Sequence, residues 1–159
     1  MPAGTGNQPL VVYLDIDGTI LYELDEDDEQ DYSEYLDGQF VCEGLETFLG
    51  FACEHCDVYW LSYRARLGKR ENLERHVLPH LPEIARSIDI AHWNHYKFEG
   101  LTTERPFIWF DDYPEPEDLA WLRKNGLEES LITVDQYQRD KPRRMLSVLE
   151  QRIAAMTDP

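Results

Sequence analysis

The chain has 159 residues and a mass of 18.7 kDa, with 15 Lys and Arg against 32 Asp and Glu, a formal net charge of −17. That length suits one domain with its own core, and the charge repels polyanions and anionic membranes, which argues against a nucleic-acid coat protein. No apolar run approaches the roughly 20 residues that span a bilayer. The first nine residues lack a cationic flank and a greasy run, and three cysteines fit no secreted disulfide framework, so the expectation is a cytoplasmic domain.

The first apolar run, Leu10-Val11-Val12-Tyr13-Leu14, is continuous rather than alternating, as in a central parallel strand covered on both faces. It ends at Asp15-Ile16-Asp17-Gly18-Thr19, where Gly18 permits a turn. Residues 21–39 then carry Glu23, Asp25, Glu26, Asp27, Asp28, Glu29, Asp31, Glu34 and Asp37 with no Lys or Arg. This stretch is expected to be a solvated acidic flap, with too few apolar residues for a core.

Gly44 to Cys56 has apolar residues at helical spacing, and Asp57 to Ser62 reads as a second buried strand. A helix from Gly68 to Leu78 is stopped by Pro79, and 82–93 is ambiguous between helix and short strand. Pro106-Phe107-Ile108-Trp109-Phe110 is a third buried strand ending at Asp111-Asp112. Pro116 to Asn125 predicts a helix with Leu119, Trp121 and Leu122 inward. A short strand over Ser130–Val134 and a helix from Pro142 to Met156 close the chain. Strands alternating with helices imply a parallel sheet, so the expected class is an α/β three-layer, Rossmann-like domain over 1–159, with 21–39 as a small insert and no large cap.

Ligands of such sheets bind beyond the carboxyl ends of the strands. Three strands end there in Asp15/Asp17, Ser62 and Asp111/Asp112. Four carboxylates meeting at one sheet edge call for a cation, and an all-oxygen donor set favours Mg²⁺.

Asp-Ile-Asp-Gly-Thr after a hydrophobic strand resembles the first motif of the haloacid dehalogenase-like (HAD) hydrolases. Ser62 after Val58-Tyr59-Trp60-Leu61 resembles the second, Lys97 in His95-Tyr96-Lys97-Phe98 the third, and Phe107-Ile108-Trp109-Phe110-Asp111-Asp112 the fourth. The later half is similar to the small HAD domains grouped with RNA-repair-like proteins. The resemblance implies an Asp15 nucleophile that takes up the phosphoryl group and an Asp17 general acid and base. It also implies Mg²⁺ held by Asp15, the Asp17 carbonyl and Asp111 or Asp112, and phosphoryl oxygens bound by Ser62 and Lys97. Lys69 and Arg64 are alternatives for the binding base. A second Asp in the first motif implies phosphate-ester hydrolysis rather than dehalogenation. In that family the segment after the first motif forms a hairpin beside the catalytic opening.

Around this centre, Arg64, Arg66, Lys69 and Arg70 form a cationic run able to hold a second anionic group of a substrate, or to form a solvated helix face with Glu71 and Glu74. The acidic flap favours a small phosphoester, a phosphoprotein or a basic partner over long nucleic acid. Cys42, Cys53 and Cys56 read as buried free thiols rather than zinc ligands. His92 and His95 lie near Lys97 in sequence, the four tryptophans are expected in the core, and Arg139, Lys141, Arg143 and Arg144 are expected to offset local acids. Two other readings are a nucleic-acid end-processing phosphatase and a non-catalytic acidic binding module with a vestigial site.

Overall fold

The computed structural model describes residues 8–24 and 36–157. In chain order the elements are β1 (Val11–Leu14), β2 (Leu21–Glu23), β3 (Gln39–Val41), α1 (Leu45–His55), β4 (Asp57–Trp60), α2 (Arg70–His76), β5 (Asp89–Ile90), β6 (Phe107–Asp111), α3 (Pro116–Lys124), β7 (Leu131–Thr133) and α4 (Lys141–Thr157). Five strands form one sheet in the order β5-β4-β1-β6-β7, and each pairing is parallel. The fold is therefore α/β with a central parallel sheet flanked by helices, of Rossmann-like type.

The unbroken apolar run of β1 is explained by its central place. Alternate side chains point to opposite faces, so Val12 and Leu14 join one core cluster while Val11 and Tyr13 join another. The first face is covered by α1 and α4 through Phe48, Leu49, Ala52, Met145 and Leu149, and by α2 through Leu73. The Phe48 and Phe110 rings meet edge to face at 5.7 Å, tying α1 to β6. The second face is covered by α3 through Leu122 and by the segment carrying Trp93 and Leu101.

Several expectations are corrected by packing. The flap is not all solvated: β2 and β3 pair antiparallel, and Leu21, Tyr22 and Leu36 are buried, so its base belongs to the core. Its acids from Asp25 to Glu34 lie outside the described residues, as do residues 1–7 and 158–159. Strand β4 is only half-buried along Asp57, Val58 and Tyr59. Leu119 points outward, because α3 packs through Asp118, Leu122 and, in part, Trp121, a stripe of i, i+3 and i+4 positions that excludes it. The segment 82–93 resolves into a single turn of 3-10 helix, Glu83–Ser87, followed by β5. Lys141 is not a surface counter-charge. It is 2% exposed and donates to the carbonyls of Leu21 and Asp135, both at 3.1 Å, pinning α4 to the flap base and to the loop after β7.

Candidate active site

The register that pairs Leu14 with Phe110 brings the next residues, Asp15 and Asp111, side by side at the carboxyl edge of the sheet. The Asp15 amide donates to the Phe110 carbonyl at 3.1 Å, extending the ladder by one bond. Two acids are thus placed together by strand pairing alone. The third group comes from the connection between β5 and β6, where Lys97 begins a short 3-10 turn. Its ammonium lies 3.1 Å from Asp15 Oδ1 and 2.7 Å from Asp111 Oδ2. All three side chains are nearly inaccessible to solvent.

Burial and the neighbouring Asp111 push Asp15 well above the usual carboxylate range, and Lys97 offsets only part of this. Burial also raises Asp112, which hydrogen-bonds Asp15. Burial alone would push Lys97 down, but Asp15 and Asp111 outweigh it and hold the ammonium charged.

One carboxylate oxygen from each of Asp15, Asp111 and Asp112 lies within 4.8 Å of the others. Three acids facing one ammonium leave an excess of negative charge, in keeping with the upward direction of Asp15 and Asp112. A hard divalent cation with oxygen ligands fits this donor set. Gly18 lets the acids approach: its φ is +70°, and a Cβ there would collide with Asp112 Oδ2. Any larger residue would displace the carboxylate as well as strain the turn.

The Asp17 side chain lies apart from the three-acid cluster. The Arg64 fork grips it, with Nε 2.8 Å from Oδ2 and a terminal nitrogen 2.6 Å from Oδ1, and Gln39 Nε2 donates to Oδ1 at 2.7 Å. The same fork reaches Asp37 at 3.0 Å, and Gln39 Oε1 accepts from the Gly18 amide at 2.8 Å. The flap base is therefore wired to the first-motif turn. Ser62 is fully buried and accepts from the Arg64 amide at 3.1 Å, which caps the turn after β4 and leaves its hydroxyl proton to donate.

The cationic run after Ser62 does not form one anion site. Arg64 is committed to Asp17 and Asp37, Arg66 donates to the Asn94 carbonyl, and Arg70 pairs with Glu74 and the carbonyls of Ile88 and Arg86. Lys69 is exposed. Of the three candidate bases, Lys97 is the one joined to the acids.

Four contributors escape a motif reading. Thr19 donates to Asp15 Oδ2 at 3.3 Å, and its place inside Asp-x-Asp-Gly-Thr was the available signal. Gln39 has no such signal. Asp118 is 1% exposed, and its Oδ1 accepts from the Phe98 amide at 2.9 Å while Oδ2 accepts from Glu115 N at 3.3 Å. It fixes the Lys97 turn to the start of α3, helped by the Phe98 ring stacked on Trp121 at 5.4 Å. Asp118, third after Glu115 and beside Pro116, has the spacing of a helix-start acid. Tyr63 stands over Lys97, with the ammonium 5.3 Å from its ring centre.

Asp111 Oδ1 accepts from the Tyr113 amide at 2.9 Å, a tight local turn that orients the carboxylate. The thiols of Cys42 and Cys56 are buried and pushed up to about 11, chiefly by burial, so both are protonated at neutral pH. His92 and His95 are exposed rather than packed. Cavities of about 290 and 300 Å³ lie apart from the acids, one between β7 and α4 beside Lys141, the other against Tyr13 and Tyr59. The chain matches no family model and no curated protein.

Proposed function

We propose that the protein is a Mg²⁺-dependent phosphatase that hydrolyses a phosphate monoester through Asp15. The observation that carries this reading is the convergence of Asp15, Asp111 and Lys97 in one buried cluster at the carboxyl edge of a parallel sheet. A buried lysine held between two acids stabilises a fold no better than a well-packed apolar trio, so stability alone does not account for it.

Mg²⁺ would be held by Asp15, Asp111, Asp112 and the Asp17 carbonyl, and would supply charge neutralisation for the phosphoryl oxygens. A carboxylate oxygen of Asp15 attacks phosphorus as the ester P–O bond breaks, forming an aspartyl-phosphate. The leaving oxygen takes a proton from Asp17. Water then attacks the same phosphorus and gives a proton to Asp17, the bond to Asp15 breaks, and inorganic phosphate departs. Lys97 offsets part of the negative charge of Asp15 and Asp111 and presents positive charge to the transferring group, with Ser62 as a hydroxyl donor. In this role Asp17 must exchange the Arg64 fork for the substrate, because both of its oxygens are engaged there.

Turnover of a generic aryl phosphate with Mg²⁺, measured beside the Asp15→Asn protein as blank, tests the assignment. Activity above the blank, with a burst of phosphoprotein, is expected. Equal rates for the two proteins over nucleotides, sugar phosphates, phosphopeptides and oligonucleotide ends reject it.

A further inference from the structure

We infer, on the basis of the phosphatase reading, that Tyr63 is a specificity residue selecting esters whose alcohol carries an aromatic ring close to the phosphate. Tyr63 is the first residue after Ser62 and is 49% exposed, although it is fixed on three sides. The Trp93 ring meets it edge-on at 4.9 Å and 83°. Its hydroxyl donates to Glu115 Oε1 at the start of α3. The Lys97 ammonium lies 5.3 Å from its ring centre, and that ammonium in turn bridges Asp15 and Asp111.

A large aromatic side chain that is both rigid and half in water gives a ligand surface at small entropic cost, because stacking on it immobilises nothing further. Its place sets the class of ligand. The Tyr63 ring centre is 5.3 Å from the Lys97 ammonium, so a ring carried close to a phosphoryl group bound at Lys97 comes within reach of it. Tyr113, whose backbone amide donates to Asp111, is 77% exposed on the neighbouring loop. The ligand is therefore a monoester with a flat ring next to its phosphate, either a small arylalkyl phosphate or a phosphotyrosine side chain.

The test compares benzyl phosphate with cyclohexylmethyl phosphate, which match in size and in leaving-oxygen type and differ in aromaticity. The kcat/KM ratio is expected to favour benzyl by about tenfold, the scale of one aromatic contact. Tyr63→Phe should keep the ratio within about twofold, and Tyr63→Leu should bring it close to one. A wild-type ratio near one, or a ratio unchanged in Tyr63→Leu, overturns the inference. Free phosphotyrosine against a phosphotyrosine peptide separates the two sources. If no ester is hydrolysed the phosphatase reading has failed, and calorimetric Kd values of benzylphosphonate and cyclohexylmethylphosphonate for the Mg²⁺-treated protein then decide this inference. A tenfold difference lost in Tyr63→Leu sustains it, and equal or absent binding overturns it.

Discussion

Lys97 Nζ and Asp111 Oδ2 lie 2.7 Å apart with side chains 5% and 1% exposed, so the pair is removed from water on both sides. The ammonium also serves Asp15, and its replacement would leave two buried carboxylates without a counter-charge. Lys97→Met is expected to destabilise the metal-free protein by about 3–5 kcal/mol, the cost of breaking a buried ion pair from one side. Combining it with Asp111→Asn removes one of the two orphaned charges and should recover part of the loss. Urea unfolding of the single and double variants checks this, and a double variant no more stable than the single one would contradict it.

Metal binding should be linked to pH through Asp15 and Asp112. Both are raised above the ordinary 3.8 in the folded chain. An acid raised on folding costs stability as it ionises, so the metal-free protein should lose stability from about pH 3.8 upward, until the raised folded values are passed. Mg²⁺ requires the ionised forms and so competes with protons for these two acids. Its stabilising shift in Tm should therefore be larger at pH 7 than at pH 5. A shift independent of pH, measured by calorimetry at fixed Mg²⁺, would exclude these acids as ligands.

Gly18→Ala should act twice. The positive φ costs about 1–2 kcal/mol for a residue with a Cβ, and the new methyl would collide with the Asp112 carboxylate. Stability should fall by at least that amount, and Mg²⁺ affinity should fall with it. Asp112→Ala relieves the collision, so in that background the Gly18→Ala penalty should shrink to the backbone part. Denaturation midpoints of the four proteins in this cycle provide the measurement.

Asp118→Ala leaves the Phe98 and Glu115 amides without their acceptor. A loss of about 1–2 kcal/mol is expected, as for a helix-start acceptor. Because Asp118 acts on Lys97 through the turn rather than on the phosphate, the variant should raise the KM for a phosphoester more than it lowers kcat. Asp118→Asn keeps one carbonyl oxygen as an acceptor and should restore part of both.

Much of this organisation is legible in the sequence. The doubly covered β1, the helix over Leu45–His55 and the acids closing β1 and β6 follow from local pattern, because a strand buried on both faces must be apolar throughout and its polar end marks the sheet edge. Lys97 could be proposed from motif order but not chosen over Lys69 or Arg64, since nothing local distinguishes three cations. The fold buries one of them between two acids and turns another onto Asp17. The partners from distant segments, Gln39, Glu115 and Asp118, carry no periodic signal, and Lys141 looked like a surface charge until its burial against two carbonyls was seen. Composition and spacing determined which residues end the strands. Only tertiary packing decided which charges face one another, because desolvation and pairing depend on distances between segments that sequence separation does not encode.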